Sequence, residues 1–396
     1  MPDHHRYHRL AHRGPGRRAA TWVAGAGLSL LVACSSSDPT VTGTPGGKPG
    51  TDPTLPPALS CGVNENSLFS GGPGRDGIPA LVNPPLVPAN DPQAAYLDRY
   101  AVRAQANPAF PTLRVVGLEL NGVPVAIPHN VLWWHEIVNI ETAGGGRVTV
   151  SYCPLTGSAL AFDAGAAGVS RFGVSGLIFQ NNLVMFDDET GSLWPQMCLS
   201  ARFGQREGDA LIPLPTVEME WTEWKARHPA TLVISEQTGF DRDYTAYPYN
   251  GYESNDFLLF GLPRALDTRR TMKERVLGIP ASSGGFAIPF DELNASGPLN
   301  VIRTTADGEE IVVFWDQQAQ AAVAFRPRTT GGQALTLRSQ TTRFVDAETG
   351  STWNVEGEGL SGPLAGQHLE PYPQAYVAFW FAWASFYPRT DIWQVD

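Results

Sequence analysis

The sequence predicts a mainly β fold, a β-rich α+β architecture of two lobes that duplicate one strand-rich unit, each lobe closed by a short helix. Three observations lead there. A block of residues recurs at a fixed offset, several stretches alternate apolar and polar residues, and the chain is rich in turn formers, with 41 Gly and 33 Pro in 396 residues.

The recurrence is the strongest of the three. Asp187-Asp188-Glu189-Thr190-Gly191-Ser192-Leu193-Trp194 returns as Asp346-Ala347-Glu348-Thr349-Gly350-Ser351-Thr352-Trp353. Without a gap, the same offset sets Trp221, Trp224, Pro229 and Thr231 over Trp380, Trp383, Pro388 and Thr390. Upstream, Ala126-Ile127-Pro128 matches Ala287-Ile288-Pro289 at an offset two residues larger. The repeated unit covers roughly 110–235 and 272–393, with a Tyr-rich connector between.

The N-terminal segment reads as a processing signal. Five arginines fall in the first eighteen residues, and an apolar run from Ala19 to Ala33 follows. That run is shorter than the roughly 20 residues that span a bilayer, and its layout is that of a secretory signal. Leu31-Val32-Ala33-Cys34 resembles a bacterial lipobox, which makes Cys34 the expected lipidation site. Ser35 after it resembles the pattern that sorts to the outer membrane. Arg17-Arg18 leaves the Sec and Tat export routes both open. Residues 35–58 are mostly Ser, Thr, Pro, Gly and Asp, too polar to bury a core, and read as a tether with a reach of about 25–30 Å. The expected organisation is a signal peptide at 1–33, a lipidated tether at 34–58, a first lobe with connector at 59–265 and a second lobe at 266–396. The expected partner is a membrane, reached through lipid, and the expected place is the cell envelope, facing the periplasm or the cell surface.

After removal of residues 1–33, 23 basic and 38 acidic residues remain, a net charge near −15. Such a chain repels nucleic acid, which is excluded as a partner. With Cys34 committed to lipid, Cys61, Cys153 and Cys198 remain. Three thiols allow at most one internal disulfide.

Strands are expected at Arg147–Tyr152, Leu183–Phe186 and Glu310–Phe314, where β-branched and aromatic residues alternate or cluster. The Glu-Thr-Gly-Ser segments read as turns. Thr216 is expected to cap a helix that carries Trp221 and Trp224 on one face and ends at Pro229. Tyr376–Phe386, apolar nearly all round, is expected to be a buried helix.

Several motifs in order carry a family resemblance. They are His135-Glu136-Ile137-Val138-Asn139, Tyr152-Cys153-Pro154-Leu155, Phe172-Gly173-Val174-Ser175-Gly176 and Asp187 through Trp194. Arg242-Asp243-Tyr244 and the terminal Phe379-Trp380-Phe381-Ala382-Trp383 add to them. The chain resembles the DUF3179 family over residues 75–393. The resemblance implies the fold unit and brings no established activity. Members commonly show Cys-Pro-Leu-Cys; here Thr156 holds the second Cys position, so chemistry that needs both sulfurs is in doubt.

The first unit carries the reactive side chains: Cys153 aligns with Asp316, and the His135 region aligns with a segment that lacks His. The ligand-binding candidates are therefore His135, Glu136, Cys153, Asp187, Glu189 and Trp194. Cys153 with His135 would make a thiol nucleophile and its base. His135, Cys153, Met197 and Cys198 offer a donor set suited to copper or zinc, although no cofactor is required and no pair has a compact ligand spacing. Asp187 and Glu189 also read as structural turn residues, and Trp133-Trp134 as core. No phosphate-binding loop, dinucleotide fingerprint or hydrolase elbow is present. The expected function is non-catalytic binding of a small molecule or envelope protein through the first lobe. The alternative is a redox, metal or thiol protein that uses Cys153 and His135. On either reading Cys153 is expected within reach of His135 or Cys198.

Overall fold

A computed structural model describes residue 61, residues 65–262 and residues 265–395. The expected signal peptide, the lipidation site Cys34 and the tether at 35–58 lie outside the described residues. Within them, short strands pair into six small sheets, and five α-helices are interspersed. The helices are α1 (Ala95–Ala106), α2 (His129–His135), α3 (Trp221–Arg227), α4 (Phe290–Ala295) and α5 (Trp380–Phe386).

Each half begins with a hairpin that feeds a short helix. In the first, Arg114–Leu120 pairs antiparallel with Val123–Pro128, which runs into α2. In the second, Arg275–Ile279 pairs with Phe286–Pro289, which runs into α4. Each helix starts just after a proline, Pro128 or Pro289, whose ring holds φ near −70° to −80°. Near its end each half returns to this hairpin. Val217–Glu220 adds beside Arg114–Leu120, α3 follows, and Leu232–Ile234 lies parallel to Val123–Pro128. Tyr376–Phe379 adds beside Arg275–Ile279, α5 follows, and Asp391–Ile392 lies parallel to Phe286–Pro289. Register agrees as well: Gly117 faces Ala126 and Val217, and Gly278 faces Ala287 and Tyr376.

Two of the expected helices start later than the sequence suggested. Thr216 caps nothing, because Val217–Glu220 is a strand and Glu220 is the residue before α3. Tyr376–Phe379 is likewise a strand, and only Trp380–Phe386 is helical. In both places a four-residue strand passes straight into a seven-residue helix with no Gly or Pro between them, so no turn residue marks the junction. Helices this short are not stable alone; α2 and α5 are held by the core around them, with all but one residue of α2 and the first five of α5 buried.

The halves pack as one compact unit. A continuous core takes Tyr152, Phe162 and Trp224 from the first half and Phe325, Trp353 and Trp383 from the second. Backbone bonds cross between them, from Phe379 N–H to Thr156 O at 2.8 Å and from Glu220 N–H to Ala319 O at 3.1 Å. So do side chains: Arg114 reaches Gln320 O at 3.0 Å and Arg227 reaches Asp316 at 2.9 Å. A smaller core around Ile288, Val313 and Trp315 belongs to the second half alone. Among the described residues, no helix is long and apolar enough to cross a membrane.

Candidate functional site

The geometry of the first half divides the expected site residues into several separate groups. Asp187, Thr190 and Trp194 form a turn lock. Asp187 accepts from Thr190 N–H at 2.7 Å and from the Trp194 indole at 2.9 Å. Burial alone would raise the Asp187 carboxyl, but these hydrogen bonds outweigh it and hold it below the ordinary range. Glu189 accepts from Ser170 N–H at 2.8 Å. The second half builds the same lock from Asp346, Thr349 and Trp353, and Glu348 accepts from Thr336 N–H. Trp194 is fully buried, so its ring offers no face to a ligand.

His135 is held at both nitrogens. Nδ1 lies 2.8 Å from Pro79 O and Nε2 lies 2.7 Å from Tyr244 Oη. A carbonyl only accepts, so Nδ1 carries the proton and Nε2 takes the Tyr244 hydroxyl. Burial pulls the imidazole down to about 4, against the pull of the Pro79 bond, so it is neutral at pH 7. Neither nitrogen is left for Cys153.

Cys198 is bonded to Cys61, and among the described residues Cys153 is the free thiol. Among the described residues no disulfide or hydrogen bond joins Cys153 to Cys198 or His135, so the expected pairings do not form. Cys153 is buried, with its thiol 3.4 Å from Asn181 O. Burial, and then the nearby Glu136 charge, push that thiol up to about 11. The expectation of an activated thiol with lowered pKa is overturned on physical grounds: the pocket disfavours the thiolate. Met197 is fully buried and its backbone N–H donates to Asn182. Among the described residues, no three His, Cys, Asp or Glu side chains gather as a metal would need. Trp133 packs between Tyr100 and Tyr247 as core.

Glu136 differs from the rest. It ends α2 with φ +56° and ψ −32°, a backbone state that is rare outside glycine. Its N–H bonds Leu132 O at 2.8 Å and its carbonyl accepts from Tyr152 N–H at 2.7 Å, so the conformation is held from both sides. Strain of this kind costs on the order of 1–3 kcal/mol. The other buried carboxylates each have a donor: Glu218 has Arg114, Glu274 has Arg270, Asp316 has Arg227, and Asp187 and Asp346 have their tryptophans. No such bond reaches the Glu136 carboxyl among the described residues, and burial alone pushes it up to about 8.

A cavity of about 320 Å³ opens between the halves. Its wall comes from Gly117–Glu119, Thr216–Glu218, Trp224 and His228 of the first half, and from Ala322–Phe325, Glu356, Glu358, Tyr372 and Tyr376 of the second. Trp224, Phe325, Tyr372 and Tyr376 are buried, while Glu119, Glu358 and His368 are exposed and mark the mouth. His228 Nε2 meets Glu356 at 2.8 Å across the cleft. Within the wall, Glu218 Oε2 is buried without a hydrogen-bond partner. The volume lies in the range of small-molecule sites. Sequence reasoning missed this place, because its residues lie up to 260 positions apart.

The sequence profile described as "Protein of unknown function (DUF3179)" matches residues 75–390, most of the chain. The chain belongs to the DUF3179 family. The match takes in both halves, so in this DUF3179 protein the cavity between them lies inside the family unit. No curated protein and no solved structure shows significant similarity to the chain.

Proposed function

We propose that this DUF3179 protein is an exported lipoprotein, anchored through Cys34, that holds a small molecule in the cavity between its halves without transforming it. The cavity carries the reading. It is enclosed by buried aromatic rings, has polar groups at its mouth, and is of ligand size. The site then belongs to both halves, where the first half alone was expected.

Two observations support export. Residues 1–34 have the layout of a lipoprotein signal, and the Cys61–Cys198 disulfide suits an oxidising compartment. The envelope, with the outer membrane facing the periplasm or cell surface, is the proposed place. The absence of catalysis is argued from the side chains best suited to it. His135 is locked between Pro79 and Tyr244, and the Cys153 thiol is disfavoured as thiolate.

The binding reading is tested by a thermal-shift screen of small molecules on the wild-type protein and on Thr216→Trp. Thr216 lines the cavity at a half-exposed position, so the indole blocks the mouth from outside the core. Hits that stabilise the wild type and not the variant support the reading; hits indifferent to Thr216→Trp, or none from a broad library, refute it. The anchor is tested by metabolic labelling with a clickable fatty acid: label is expected on wild type and lost in Cys34→Ala.

A further inference from the structure

We propose that the ligand of this cavity is an organic cation, an amine or quaternary ammonium on an apolar or aromatic body. This rests on the cavity reading above and names the ligand's chemistry.

The charge of the wall is one-sided. Glu119, Glu218, Glu356 and Glu358 line it, and neither Lys nor Arg does. Arg114 offsets one of these charges from behind, through Glu218 Oε1 at 2.7 Å. It leaves the other oxygen, Oε2, buried and without a partner. Glu218 is 8% exposed. That oxygen is sealed from the cleft, so it acts on a ligand through its field and not through a hydrogen bond, and a field of this sign favours a cation. An anionic ligand would be repelled by Glu119 and Glu358 at the mouth, where the wall holds neither Lys nor Arg, while Glu218 and Glu356 are already paired with Arg114 and His228.

The remaining wall suits the body of such a ligand. Phe325, Tyr372 and Tyr376 present aromatic carbon from the second half, and Leu118, Val217 and Trp224 face them from the first. Aromatic faces attract ammonium groups through the ring quadrupole, and the attraction grows as water is excluded. Carboxylates at the mouth and rings behind them therefore select a positive charge joined to apolar surface.

The experiment uses three probes of one shape that differ in charge: phenethylamine, phenethyl alcohol and phenylacetate. Binding to the intact lipid-free protein is followed by calorimetry and by ligand-observed NMR. Three protein forms are used: wild type, Thr216→Trp, and the charge variant Glu356→Gln with Glu358→Gln. Phenethylamine is expected to bind wild type about tenfold tighter than the alcohol, with phenylacetate weaker still. The charge variant should narrow that preference, added salt should weaken the amine, and Thr216→Trp should abolish it. If the alcohol or phenylacetate binds wild type as tightly as the amine and Thr216→Trp abolishes binding, the cation assignment fails while the cavity reading stands. If the amine binds Thr216→Trp as well as wild type, or no probe binds at all, the cation assignment fails; the library screen above then decides the cavity reading separately.

Discussion

The indole of Trp224 lies on Gly117 so closely that a β-carbon at that position would come within 2.0 Å of its Cζ3. Trp383 lies on Gly278 in the same way, at 2.2 Å. Each indole nitrogen is tied back at 2.9 Å, Trp224 to Thr231 and Trp383 to Thr390. The ring is thus pinned at both ends and has no slack to move aside.

Gly117→Ala and Gly278→Ala are therefore expected to destabilise by at least the upper end of the usual 1–3 kcal/mol for overpacking. Urea melts provide the check. Gly122→Ala serves as a control for general glycine effects, since it has open space around it, though its own φ of +78° adds some strain. A loss at Gly117 no greater than at Gly122 would contradict the close contact.

Glu136 should link stability to pH with a defined sign. Its folded pKa is raised to about 8 by burial, so between its ordinary value of 4.5 and 8 the folded state holds a proton that the unfolded state has lost. That contribution is fully present below the ordinary value and is lost as pH rises through about 8, at up to about 1.4 kcal/mol per pH unit. Glu136→Gln removes it. The variant's stability relative to wild type should rise from acid pH to pH 8 and then level off, as read from denaturant midpoints. A flat difference would mean that Glu136 is ionised in the fold.

The cysteines should separate by reagent. Cys153, buried with its thiol pushed up to about 11, is expected to resist alkylation in the native protein and to react after unfolding. Reductant should leave that unchanged but lower the thermal midpoint, because Cys61–Cys198 closes a loop of 137 residues. A loop near that length is worth about 4–5 kcal/mol in the chain-entropy account. Mass spectrometry of alkylated peptides, with and without reductant, decides both points.

The shared core predicts that the halves do not survive separation. Residues 59–262 expressed alone would uncover Trp224, Ala159 and Tyr152 where Phe325, Phe379 and Trp383 cover the common core. Aggregation or a broad, uncooperative melt is expected. A cooperative monomeric transition in that fragment would show that the common core is dispensable.

The β-rich class was legible in the sequence because alternation and turn residues act locally. The recurrence was legible too: Trp224 with Thr231 and Trp383 with Thr390 keep their spacing because each pair is one hydrogen bond across a helix and its return. Matching element order and register support a duplicated unit. The 12-residue α1 escaped notice, since Tyr96, Leu97 and Tyr100 are its only buried positions and Val102, with the alanines around it, blurs the polar face. The pairing of Cys61 was beyond reach, because nothing local distinguishes it among three thiols. The strain at Glu136 was hidden for another reason: a glutamate with positive φ leaves no mark in sequence, whereas a glycine there would have.

The Cys61–Cys198 bond also has a mechanical consequence. Tension along the chain before residue 61, as a lipid anchor at Cys34 would supply, reaches the fold first at Cys61. From there it passes covalently to Cys198, whose side chain lies in an apolar cluster with Phe179 and Val184. The three-residue edge strand Leu68–Ser70, held to Phe172–Phe179 by hydrogen bonds and by Leu68 packing on that same cluster, is bypassed. A pull that would otherwise peel this strand away residue by residue instead loads a covalent joint in the interior, and reduction of that one bond moves the load onto the strand.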